Sequence, residues 1–134
     1  KGFDMAVEAA KILKEQKVNF TWYFVGDGPE RKNIEQKIAE HGLEKNIVIT
    51  GMQTNPYPYI ASCNIYVQPS YEEAMPVTIL EAHRLSKPVI STATVGGKKL
   101  VENGVNGFVV RGRGGYASNS IFLPCVTPLG GYLA

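Results

Sequence analysis

The 134 residues are enough for one domain with its own core and too few for two full domains. Apolar residues make up 44% and charged residues 19%, which is ordinary for a soluble globular protein. The formal charge of +2 is too small to indicate a nucleic-acid partner or an anionic membrane surface. No apolar run approaches the ~18 residues that a membrane-spanning helix needs.

In the first half of the chain, helical patterns alternate with strand patterns. The predicted elements are a helix over 4–16 with Asp4 as its N-cap, a strand over 20–25, a helix from Pro29 to Gly42 and a strand over 46–50.

The two isolated cysteines, Cys63 and Cys125, form no CxxC pair, which argues against a metal site and favours a reducing, cytoplasmic setting.

The second half continues the alternation. It predicts a brief helix over 56–62, a strand over 65–67, a loop over 69–75, a helix over 76–85, a strand over 88–91, a short helix opened by Gly96 and Gly97, a turn over 103–107 and a strand over 108–110. The remaining residues, 111–134, are rich in glycine and show no period, although 121–123 could pair as an edge strand.

Strands that alternate with helices predict a parallel sheet with helices on both faces, a three-layer α/β Rossmann-like fold. Ligands of such sheets bind beyond the carboxyl ends of the strands. Three predicted loops lie there, over residues 26–29, 51–55 and 68–76.

The third loop and the helix after it carry the residues of greatest chemical interest. Glu73 lies in the loop and Glu81 inside the helix, with seven residues between them. The helix N-terminus exposes the amides of Val77 and Thr78, with Met75 just before Pro76, and such amides suit a diphosphate. Glu81, about a turn further in, is placed to accept hydrogen bonds from ribose hydroxyls.

Other interpretations of these residues were weighed. The two glutamates could be surface carboxylates at a helix start, or a retaining glycosidase pair about 5 Å apart, although Glu81 is better placed for a ribose. Residues 26–28 are not a GxGxxG motif and follow a second strand, so a dinucleotide site has little support. Neither His41 nor His83 has a pattern that indicates catalysis.

Residues 70–82, followed by Lys-Pro-Val-Ile at 87–90 and Asn-Gly-Val-Asn-Gly-Phe at 103–108, resemble the C-terminal, donor-binding domain of GT-B retaining glycosyltransferases of the family 4 type. The opening residues 1–10, the turn at 25–29 and the strand end at 49–51 match as well. The resemblance implies a partial Rossmann-like domain over 1–110 that lacks its first, central strand, which would expose apolar surface. The tail over 111–134 is not family-like.

The resemblance also implies roles for individual residues. Lys1 matches the lysine that pairs with the donor diphosphate, Glu73 the catalytic glutamate near the transferred sugar, and Glu81 the ribose-binding glutamate. Further donor-binding positions are the backbone at Gly26, Gly51 and Met52, near the base, and the helix start at Met75, Val77 and Thr78.

A whole enzyme of this kind is a hexosyltransferase that moves a sugar from a UDP- or GDP-sugar to a glycan or lipid acceptor with retention, in polysaccharide or lipopolysaccharide assembly. It needs no metal or other cofactor. The chain starts too late for the family's arginine and for the N-terminal, acceptor-binding domain, so it is expected to be inactive alone. Peripheral membrane association of the whole enzyme is compatible with this function. The alternatives are a non-catalytic nucleotide-binding module and a dinucleotide-dependent oxidoreductase domain.

Overall fold

Helices and strands alternate along the chain up to Val110, as the sequence predicts. The computed structural model describes residues 2–111 and 131–133. Its elements are α1 Phe3–Glu15, β1 Trp22–Val25, α2 Arg31–Glu40, β2 Ile47–Gly51, α3 Tyr57–Ser62, β3 Tyr66–Gln68, α4 Val77–Arg84, β4 Val89–Thr92, α5 Val95–Leu100, β5 Gly107–Val110 and β6 Gly131–Leu133.

The start of α1 differs from the prediction. The N-cap is Gly2, not Asp4, because the Gly2 carbonyl already accepts the amide of Ala6 and so begins the first turn. Asp4 lies inside that turn, where a negative charge suits the helix dipole. Its carboxylate accepts a hydrogen bond from the hydroxyl of Tyr71, which joins α1 to the loop after β3.

The six strands form one sheet in the order β2-β1-β6-β3-β4-β5, and every pair of neighbours is parallel. Parallel neighbours require crossover connections, and α2, α4 and α5 supply them between β1 and β2, β3 and β4, and β4 and β5. The parallel α/β fold is therefore confirmed.

Helices cover both faces of this sheet. In β1, Trp22 and Phe24 pack into a core with α1 and α2, whereas Tyr23 and Val25 pack against a second core formed with α3 and α4. Because successive side chains of a strand point to opposite faces, the two cores lie on the two sides of the sheet. This confirms the three-layer arrangement.

The centre of the sheet departs from expectation. Residues 131–133, predicted to be irregular, form β6 between β1 and β3, so the central position holds a strand and not a gap. Gly131 pairs with Trp22, and Tyr132 pairs with both Tyr23 and Tyr66. The unpaired N–H and C=O groups of β1 and β3 form a template for a further strand, and a segment without alternating apolar residues can still pair there. The predicted edge strand at 121–123 lies outside the described residues.

Within that described part of the chain, no helix has the length and apolar character needed to cross a membrane.

Candidate functional site

The loops after β1 and β2 meet at the carboxyl edge of the sheet. The amide of Gly26 donates to the carbonyl of Gly51 at 3.0 Å, and both glycines have positive φ, +129° and +73°. No atom lies within 4 Å of the position a Cβ would take on Gly26, so its backbone is open to a ligand. Met52 follows with 76% of its surface exposed. The structure thus brings Gly26, Gly51 and Met52 together.

A cation also lies at this end of the sheet. Nη1 of Arg31 at the start of α2 is 3.5 Å from the Cβ position of Gly51, and it forms a 2.9 Å ion pair with Asp27. The amide of Gly28 and then Arg31 hold the pKa of Asp27 below its ordinary value. Arg31 was not predicted as a site residue; its position four residues after Asp27 on a helix start was the available signal.

The second part of the site is the N-terminus of α4. Pro76 caps this helix in an extended conformation, and Val77 and Met75 are more than half exposed. Across residues 2–111 and 131–133, no hydrogen bond uses the amides of Val77 or Thr78. These amides and the helix dipole are available to an anion, as the sequence predicts.

Glu73 lies in the loop that leads to this helix. The residue is partly buried. Its backbone carbonyl accepts the amide of Gly96 at 2.7 Å, while its carboxylate has no hydrogen-bond or ion-pair partner in the described part of the chain. The contact is close because Gly96 lacks a side chain: a Cβ there would lie 2.3 Å from Cδ of Pro76 and 2.9 Å from the carbonyl oxygen of Ala74. The start of α5 therefore supports the Glu73 loop, a role the sequence prediction did not give it.

Glu81 lies one turn into α4, partly buried, with a defined partner. Its Oε1 accepts a hydrogen bond of 2.8 Å from the hydroxyl of Tyr57 at the start of α3. This hydrogen bond, with the carboxylate charge, raises the pKa of Tyr57. Tyr57 was not predicted as a site residue, because only the fold brings α3 beside α4.

A buried polar network lies beneath the helix start. Oε1 of Gln68 accepts hydrogen bonds from the hydroxyls of Tyr66 and Thr78, at 2.7 and 3.2 Å, and its Nε2 donates to Ser70. Thr92 donates to the carbonyls of Gln68 and Ser70. Burial raises the pKa of Tyr66, so this phenol remains a donor. The network fixes α4 to the end of β3.

The start of α1 reaches the same edge. A Cβ on Gly2 would overlap the carbonyl oxygen of Pro69, so α1 begins directly against the loop after β3. Lys1, the predicted diphosphate-binding lysine, lies outside the described residues. The structure therefore gathers the other predicted positions at one edge and adds Tyr57 and Arg31 to them. Among the residues described, no group of three or more His, Cys, Asp or Glu side chains could hold a metal ion.

Comparison with known proteins is consistent with this geometry. The profile of the family described as "Glycosyl transferases group 1" matches residues 1–113. The chain belongs to this family. It is 31% identical over 112 residues to an alpha-D-kanosaminyltransferase of Streptomyces kanamyceticus, covering 82% of this chain and 29% of that protein. It is 30% identical over 110 residues to the lipopolysaccharide core biosynthesis glycosyltransferase LpsE of Rhizobium meliloti, covering 82% of this chain and 31% of that protein.

Solved glycosyltransferases share the fold. HepE of Anabaena, crystallised with UDP, superposes with a TM-score of 0.76 at 29% identity, over 84% of this chain and 32% of that one. WaaG, a glycosyltransferase involved in lipopolysaccharide biosynthesis, superposes with a TM-score of 0.72 at 26% identity, over 83% and 30%. The chain thus has the Rossmann-like fold of the C-terminal half of GT-B enzymes, and it spans less than a third of these relatives.

Proposed function

We propose that this chain is the donor-binding domain of a retaining glycosyltransferase that uses a UDP- or GDP-sugar. One observation carries the proposal: the unused amides at the start of α4 lie between Glu73, whose carboxylate has no partner in the described structure, and Glu81, one turn further in. The complex of HepE with UDP, at 29% identity, supports a nucleotide donor.

In this proposal, different groups along the helix contact different parts of the donor. The amides of Val77 and Thr78, together with Lys1, stabilise the departing diphosphate, and Glu81 accepts hydrogen bonds from the ribose. Glu73 orients the sugar and stabilises positive charge that develops at its anomeric carbon. This is electrostatic stabilisation of the transition state and needs no covalent step.

The full reaction belongs to the whole enzyme. The acceptor is a glycan or lipid of polysaccharide or lipopolysaccharide assembly, a proposal supported by the name of the LpsE relative. An additional domain binds the acceptor, so this chain alone is inactive. The reaction is independent of metal ions and takes place in the cytoplasm. Cys63, buried and free of any disulfide, is compatible with a reducing compartment.

Calorimetry of the chain with UDP, GDP, ADP and NAD tests the donor site. We expect UDP or GDP to bind more tightly than NAD, with the same affinity in the presence of EDTA. Binding of NAD alone would instead indicate a dinucleotide-dependent oxidoreductase domain. Loss of UDP or GDP binding on addition of EDTA would contradict the metal-independent mechanism.

A further inference from the structure

Tyr57 begins α3 in a stiff piece of backbone. It lies between Pro56 and Pro58, whose rings fix their own φ angles near the value that the first turn of a helix needs. The side-chain oxygen of Asn55 accepts the amide of Tyr57 at 3.2 Å, which adds a second local restraint. The tyrosine is therefore held in place before any ligand arrives.

The hydroxyl of Tyr57 reaches across to α4. It donates to Oε1 of Glu81 at 2.8 Å, a residue 24 positions later in the chain, and this contact joins α3 to α4. Tyr57 remains 49% exposed, so the pair lies at the surface of the site and not in the core. A phenol is protonated at neutral pH, and the hydrogen bond to Glu81 raises the pKa of Tyr57 further, so its hydroxyl is a donor.

This contact changes what Glu81 can do. A free glutamate side chain samples many rotamers, and ordering it when a ligand binds costs free energy. With Oε1 held by Tyr57, that cost is met during folding, and Oε2 remains to accept from a ligand. We propose that Tyr57 is a positioning residue that orients Glu81 toward the ribose hydroxyls of the donor nucleotide. The inference rests on the proposed donor site.

Two nucleotides separate this role from a structural one. The Tyr57→Phe variant, which keeps the ring and loses the hydroxyl, is titrated with UDP and with 2′,3′-dideoxyuridine diphosphate, which lacks both ribose hydroxyls. We expect UDP affinity to fall about fivefold, as for loss of one hydrogen bond to a charged group at a half-exposed site. Affinity for the dideoxy nucleotide should not change. In a Glu81→Ala background, Tyr57→Phe should have no further effect on UDP binding.

Tyr59→Phe is the matched control, since Tyr59 lies on the same helix and its ring packs against Tyr23. It should bind both nucleotides like the unmodified chain. An equal loss for UDP and the dideoxy nucleotide in Tyr57→Phe would show a structural role and overturn the proposal, as would no loss for UDP. If the unmodified chain binds UDP and Tyr57→Phe fails these criteria, only the positioning role is rejected. If the unmodified chain binds no nucleoside diphosphate, the donor site is rejected with it.

Discussion

Glu73 and Glu81 have different surroundings, although Glu73 lies just before α4 and Glu81 lies inside it. Glu81 is restrained by Tyr57, whereas the carboxylate of Glu73 has no partner within the described residues and only its backbone is held, by Gly96. A restrained carboxylate suits a donor in a fixed position, such as a ribose hydroxyl. A carboxylate without such a partner is available to a cationic centre that appears only during reaction. This difference supports the proposed roles, nucleotide binding for Glu81 and catalysis for Glu73.

The Glu73→Gln substitution tests that assignment in the whole enzyme that carries this domain. Transfer should slow by roughly a hundredfold or more, because the charge acts in the transition state. UDP affinity, measured by calorimetry, should stay nearly unchanged. Glu72→Gln is the control, since Glu72 is an exposed neighbour in the same loop, and it should transfer sugar normally. Full activity of Glu73→Gln would remove Glu73 from the mechanism.

Between elements, the close approach of α5 to the Glu73 loop depends on glycine. Helix α5 begins one residue before Gly96, and Thr94 caps it by accepting the amide of Gly97 at 3.0 Å. The Cβ position of Gly96 overlaps Pro76 and Ala74, so any other residue would push the two segments apart. The loop conformation at Glu73 is therefore set by its neighbour as much as by its own residues.

A Gly96→Ala substitution measures this dependence. Alanine ordinarily stabilises a helix relative to glycine, but here the overlap with Pro76 and the Ala74 carbonyl should reverse the sign. We expect the free energy of unfolding, from urea titration, to fall by roughly 1–3 kcal/mol. Gly28→Ala is the control, because nothing lies within 4 Å of its Cβ position, and it should change stability little. Equal stability of the two variants would contradict the close packing.

Features that depend on neighbouring residues could be predicted from the sequence, whereas contacts between distant residues could not. Apolar periodicity and breakers such as Gly42 and Pro76 predict the helices and strands up to Val110, because these signals are local. The contact of Tyr57 with Glu81 and the Gln68 network could not be predicted, since each joins side chains that only the packed sheet brings together. The positions of the site loops could be predicted from the order of strands and helices. The side-chain contacts that hold these loops could not.

At the scale of the whole molecule, the central strand β6 links the two halves of the sheet. The two cores, on opposite faces, share the strands β1 and β3, and among the described residues β6 connects these two strands. A central strand in a parallel sheet donates and accepts hydrogen bonds on both sides. The hydrogen-bonded continuity of the sheet between β1 and β3 is therefore supplied by Gly131–Leu133.

The Tyr132→Pro substitution tests this dependence. Proline removes the backbone N–H from a central strand, and the free energy of unfolding should fall by about 3 kcal/mol or more in a urea titration. Tyr132→Val keeps the N–H and a strand-forming residue and provides the control. If both variants unfold at the same urea concentration, residues 131–133 do not form the central strand.

The central position of β6 also bears on the route by which the chain folds. Residues 131–133 pair with residues 22–24, a separation that spans nearly the whole described sequence. Contacts between such distant residues form slowly, because a long loop must close before they contribute. The flanking halves can acquire helices and local contacts early, yet β1 and β3 each present one unpaired edge until β6 pairs with them. During that interval the exposed strands of two chains can pair with each other, so we identify this step as the one most exposed to misassembly.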